Sequence, residues 1–100
     1  MMTYSEFEIR LLLALVDAAD STERGSCEAG SVAETVLSDV SEKWVSDAVR
    51  TFEERKYLGL VVRPQAGGIV LMISGDGRKA ADSLRAQMAT AQQPQPKIGY

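Results

Sequence analysis

The residues of this chain best suited to polar chemistry lie near its middle. Four charged residues recur there at i, i+4, i+7 and i+11, a spacing that places them on one face of a helix: Lys43, Asp47, Arg50 and Glu54. Lys43 and Arg50, with Ser46 beside them, carry hydrogen-bond donors that can reach base edges or phosphates. Asp47 and Glu54 repel phosphates. Because the charges alternate in sign, they can also pair with one another along the helix.

Most catalytic chemistry is missing from the sequence. It contains no histidine, which excludes Ser-His and Cys-His catalysis and disfavours zinc sites. Glu53 and Glu54 are adjacent carboxylates, but neighbouring helix positions diverge by about 100° and cannot share a substrate. The Gly-Asp-Gly segment at 75–77 lacks the glycine spacing and the lysine of a phosphate loop. We therefore expect no enzyme activity, no cofactor and no metal site.

Composition limits the chain to one ordinary domain. Its 100 residues are 45% apolar, enough for a single core, and no apolar run approaches the length of a membrane span. Cys27 is the sole cysteine and the N-terminus does not resemble a signal peptide, so a reducing cytoplasm is expected. Fourteen acidic residues against eleven basic ones give a net charge of −3, which does not suggest a general nucleic-acid binder.

Capping motifs and apolar periodicity predict three helices, at about 3–20, 31–38 and 41–55, with a loop at 21–30. The core face of the third helix follows the i, i+3, i+4, i+7 pattern: Val45, Ala48, Val49 and Phe52. The second and third helices are about three residues apart, which is the spacing of a helix-turn-helix motif.

The pattern then becomes extended, which predicts a β-hairpin with strands 57–63 and 69–73 around a Gly-rich turn. A last helix over 74–91 completes a domain spanning 1–91, and 92–100 is expected to be a disordered tail. In the preferred strand register, four residues face the core: Leu60, Val62, Leu71 and Ile73. Three face outward: Val61, Val70 and Met72.

Two segments give this order of elements a family likeness. FEERKYL (52–58) is similar to the L-E-E-x-G-Y/L-I segment that ends the recognition helix of winged helix-turn-helix regulators. LMISGDGRKAADSLR (71–85) is similar to their L-x-L-T-x-x-G-R segment, with Ser74 for the capping Thr. The chain therefore resembles the small MarR-like and PadR-like transcription factors. Lys56 replaces the family's helix-ending glycine, so we expect a left-handed conformation there, at a cost of about 1 kcal/mol.

The resemblance implies a mainly α fold with a small β-hairpin: a three-helix core, a two-stranded wing and an additional C-terminal helix. It also implies binding of double-stranded DNA, with helix 41–55 in the major groove. The expected DNA-contacting residues are Lys43, Ser46, Asp47, Arg50 and, at the start of the wing turn, Arg63. The alternatives are a solvated, salt-bridged helix face and a winged-helix module that binds protein instead of DNA.

The first helix has apolar residues nearly all round, which predicts either that other elements surround it or that it has a partner. We expect a homodimer joined through the first and last helices. Its interface residues would be Ile9, Leu12, Leu13, Val16, Leu84 and Met88. The sequence indicates no membrane partner, operator or effector.

Overall fold

The computed structural model describes residues 2–92. Within that range the elements are α1 (Tyr4–Asp20), β1 (Ser26–Glu28), α2 (Ala29–Val36), α3 (Glu42–Glu54), β2 (Leu58–Val62), β3 (Val70–Ile73) and α4 (Gly75–Gln92). The strands form one antiparallel sheet in the order β1-β3-β2. The described chain is therefore mainly helical with a small sheet, which confirms the predicted fold class at that level. Gln92, predicted to begin the tail, is the last residue of α4, and the rest of the predicted tail lies outside the described residues.

Local sequence signals account for the starts of α1 and α3. The Thr3 hydroxyl accepts the Glu6 N–H at 3.1 Å, and the Ser41 hydroxyl accepts the Trp44 N–H at 3.1 Å. Each bond satisfies a backbone donor that has no partner inside the helix. The predicted face of α3 is buried, and it shares one core with three fully buried residues of α1: Phe7, Leu11 and Leu15.

The segment 21–30, predicted to be a loop, contains a strand and the start of α2. Strand β1 pairs with β3 and adds a third strand to the predicted hairpin, so the prediction of a loop throughout 21–30 is wrong. Helix α2 begins at Ala29, before the predicted start at Ser31. The reason is that the Glu28 carboxylate caps it, accepting the N–H groups of Gly30 and Ser31. A carboxylate at this end also interacts favourably with the helix dipole.

The hairpin is present, but β2 turns its other face to the core. Leu60 and Val62, predicted to point inward, are 53% and 46% exposed, while Val61 packs against the core. A β-bulge between Leu58 and Leu60 is the cause, because one extra residue in a strand reverses its alternation beyond that point. Strand β3 keeps its predicted orientation, with Leu71 fully buried.

Helix α3 ends in the left-handed turn that the family resemblance implies. Lys56 has a φ of 63°. The Tyr57 N–H donates to the Phe52 carbonyl at 2.9 Å, and the Lys56 N–H donates to the Glu53 carbonyl at 3.0 Å, which is the bond pair of a Schellman motif. The rings of Phe52 and Tyr57 pack with centroids 6.3 Å apart. These contacts offset the backbone strain and set the direction in which β2 leaves α3.

Ser74 joins the end of the hairpin to its beginning. Its hydroxyl donates to the Lys56 carbonyl at 2.7 Å and accepts the Gly77 N–H at 3.1 Å, which confirms the predicted cap on α4. Its own N–H donates to the Tyr57 carbonyl at 2.9 Å. Two ion pairs then hold α4 along α1: Arg78 with Asp20, and Arg85 with Asp17.

Candidate nucleic-acid interface

The outer face of α3 brings together the four site residues predicted on this helix: Lys43, Ser46, Asp47 and Arg50. Three of them are exposed and Asp47 is half-buried, because the opposite face of the helix lies in the core. The turn leading from α2 is closed by a bond from the Val40 N–H to the Leu37 carbonyl at 3.1 Å. Helix α3 therefore presents these side chains to solvent from a packed support.

In the described part of the chain, some charged side chains on this face form ion pairs with one another, and Arg50 does not. Lys43 Nζ lies 3.0 Å from Asp47 Oδ2, the i, i+4 ion pair that the spacing predicts. Asp47 was expected to hold Arg50 as well, but no side-chain hydrogen bond or ion pair within residues 2–92 involves Arg50. Arg50 lies one turn after Asp47 and is exposed. Its guanidinium is therefore available to a partner.

Arg63 lies at the end of β2, close to the C-terminal end of α3. Its guanidinium pairs with the Glu53 carboxylate at 2.5 Å, and both side chains are partly exposed. This ion pair links the hairpin to α3 and balances the charge of Arg63. Arg63, which was predicted to contact DNA from the wing, therefore lies next to the candidate interface. Its ion pair with Glu53 leaves little net positive charge there.

An acidic groove of about 480 Å³ lies beside the start of α3. Its polar rim includes the exposed Glu34 of α2 and Glu42 of α3, and its floor includes apolar residues from three different segments: Val40, Val45 and Ile69. Carboxylates at this edge repel phosphates. This edge of α3 is therefore electrostatically unfavourable for contacts to phosphates.

Glu28, which the sequence analysis did not single out, organises this edge. Its carboxylate accepts the N–H groups of Gly30 at 2.7 Å, Ser31 at 2.9 Å and Ile69 at 3.1 Å, and the Ser31 hydroxyl at 2.9 Å. Partial burial alone would raise the pKa of Glu28, but these hydrogen bonds to the charged form outweigh it and lower the pKa. One carboxylate thereby joins β1, the start of α2 and the start of β3.

The residues predicted for a dimer interface divide into two groups. Leu12 and Val16 are only 2% and 3% exposed, so they belong to the protomer's own core, and the prediction is wrong for these two. Ile9 is 38% exposed and, together with Leu84, lines a groove of about 490 Å³ formed by α1, α4 and the C-terminal end of α3. Leu13 and Met88 are half-buried. Helix α1 has less free surface than its apolar composition predicts, because α2, α3, α4, β1 and β3 all pack around it.

Comparison with protein-family models, curated proteins and solved structures gives no match to this chain. Within residues 2–92, no group of three or more His, Cys, Asp or Glu residues could hold a metal ion. No helix in the same range is long and apolar enough to cross a membrane.

Cys27 lies in surroundings that favour its protonated thiol. It is half-buried in β1, and its thiol donates to the Leu15 carbonyl at 3.7 Å. Burial raises the pKa of the Cys27 thiol, and the negative charge of Glu28 raises it further. Because the thiolate is the reactive form, the arrangement disfavours redox or nucleophilic chemistry at this residue.

Proposed function

We propose that this chain is a winged helix-turn-helix regulator that binds double-stranded DNA, with α3 in the major groove. The observation that carries the proposal is the exposed guanidinium of Arg50 at the centre of the outer face of α3, which has no side-chain hydrogen bond or ion pair within residues 2–92. Arginine is the residue most often used to bind guanine in that groove. The order of three helices, hairpin and further helix supports the proposal, because the family resemblance implies that order. The function would be carried out in the cytoplasm.

The charge distribution indicates whether contacts to phosphates or contacts to bases contribute more to the affinity for DNA. Lys43 and Arg63 are both paired with carboxylates, and two acids line the groove beside the start of α3: Glu42, its first residue, and Glu34 of α2. Non-specific affinity comes mainly from phosphate neutralisation, and it falls steeply with salt. We therefore expect weak binding to random DNA, measurable at low salt, and stronger binding to one preferred sequence.

The substitution Arg50→Ala tests the proposal. We expect it to weaken duplex binding about 10- to 100-fold, since a bidentate contact to a base contributes about 1–3 kcal/mol. Electrophoretic shift at low salt measures the effect on a preferred duplex. Arg10→Ala is the matched control, because it removes the same charge. Arg10 is exposed on α1 and is distant in sequence from α3. If the Arg50→Ala variant bound the duplex with the same affinity as the parent, α3 would not be the helix that contacts the bases.

A second candidate function is a winged-helix module that binds protein. The specific observation in its favour is the acidic groove beside α3, together with the exposed aliphatic side chains of Leu60 and Val62 on β2. DNA-binding surfaces are usually basic, whereas this one is nearly balanced. If the parent protein shows no shift with any duplex at low salt, this second function replaces the first.

We further propose that the chain acts as a homodimer through α1 and α4, with Ile9, Leu13, Leu84 and Met88 at the interface. Ile9→Lys is expected to shift the protein from dimer to monomer, because it would bury a charge in the contact. Sedimentation at tens of micromolar measures the change. Leu60→Lys, on the exposed face of β2, is the control that should leave the dimer intact. A monomeric parent at that concentration would reject the proposal.

A further inference from the structure

Asp47 is an unusual residue to find beside Arg50 on the outer face of α3. Its side chain is 37% exposed, and Lys43 Nζ holds one carboxylate oxygen, Oδ2, at 3.0 Å. The other oxygen, Oδ1, has no hydrogen bond to any residue in the range 2–92. The ion pair thus orients the carboxylate and leaves an acceptor available on the same face as the free Arg50 guanidinium.

The two side chains suit two different bases. In the major groove guanine presents two acceptors, O6 and N7, which match the paired donors of an arginine. Cytosine presents an amino group, N4, which a carboxylate can accept. Thymine presents the acceptor O4 and guanine presents acceptors only, so both repel a carboxylate. Adenine has an amino group, but its N7 acceptor lies beside it.

The spacing of the two residues places their targets next to each other. Residues at i and i+3 are about 4.5 Å apart along a helix axis, which is close to the rise of about 3.4 Å between successive base pairs. Assuming the DNA-binding function proposed above, we infer that Asp47 is a specificity-determining residue, which selects a cytosine in the base pair neighbouring the guanine bound by Arg50. The acid on α3 lowers the affinity for wrong sequences more than it lowers the affinity for the right one.

The test uses the full chain and duplexes with a randomised centre, selected at low salt. The parent is expected to enrich duplexes that carry a cytosine and a guanine in neighbouring base pairs. Replacing the selected C·G pair by T·A should then weaken binding of the parent about tenfold or more. Asp47→Asn should reduce that discrimination to about twofold or less, because an amide can donate to thymine O4 as well as accept from cytosine N4. Its preference for the neighbouring guanine should not change.

Glu54→Gln is the matched control, since Glu54 is an exposed acid one turn beyond Arg50 and the substitution removes the same charge. It is expected to keep the parent's discrimination between C·G and T·A. Selected duplexes without adjacent cytosine and guanine would overturn the inference while leaving DNA binding in place. Equal relaxation in the Glu54→Gln and Asp47→Asn variants would overturn it too, because the effect would then be one of overall charge. Absence of binding to any duplex at low salt would reject the proposed function and this inference with it.

Discussion

Gly77→Ala is expected to lower the free energy of unfolding by about 3 kcal/mol or more. A Cβ at Gly77 would lie 2.9 Å from Ile73 Cγ2 and closer still to the backbone carbonyl oxygen of Tyr57. The Tyr57 carbonyl cannot retreat easily, because it accepts the Ser74 N–H at 2.9 Å. Alanine normally stabilises a helix relative to glycine, so the expected sign is the reverse of the usual one.

Gly75→Ala is the control for that experiment. Gly75 lies in the same turn of α4, and a Cβ there would have nothing within 4 Å. We expect it to change stability by less than about 1 kcal/mol, in the stabilising direction. Urea unfolding of the two variants and the parent measures both effects. If the two variants had equal stability, the close approach of α4 to the start of the hairpin would not be a determinant of this fold.

Glu28→Gln is expected to destabilise the protein by about 2 kcal/mol at pH 7. Glutamine has nearly the shape of glutamate, but its amide nitrogen cannot accept the backbone N–H groups that the second carboxylate oxygen accepts. Ile69 lies 41 positions further along the chain, so its N–H bond to Glu28 connects β1 to the residue that precedes β3. Glu34→Gln is the control, because Glu34 is an exposed acid on α2 that lacks this set of bonds.

The effect of Glu28 is also expected to depend on pH. Because folding lowers the pKa of Glu28 below its ordinary value of 4.5, the folded state binds this proton less tightly than the unfolded state does. The charged carboxylate therefore contributes its full stabilisation above pH 4.5 and loses it as the pH falls through the lower, folded pKa. The stability difference between parent and Glu28→Gln should accordingly be constant near neutrality and shrink in acid. A difference independent of pH would contradict the ionic character of these bonds.

Features of the fold that depend only on residues close together in the chain could be predicted from the sequence. A capping hydroxyl needs only the N–H three positions ahead, as with Thr3 and Ser41. The buried face of α3 follows from its 3.6-residue period alone. The left-handed Lys56 could be predicted only through the family resemblance, because Lys56 stands where the family has its helix-ending glycine. The exposed position of Arg50 follows from the same periodicity.

Contacts between distant segments were decided by the tertiary structure. Three residues, Ser26–Glu28, carry too little pattern to predict a strand, and they form one because β3 offers them a partner. The bulge in β2, the pairing of Arg63 with Glu53 and the burial of Leu12 likewise depend on which surfaces meet in the folded chain. The amino-acid sequence by itself therefore determined the helices, their faces and the charges they display. Which of those charges remain unpaired, and which apolar residues remain at the surface, was decided by packing, because burial and pairing are properties of surfaces brought together from far apart in the chain.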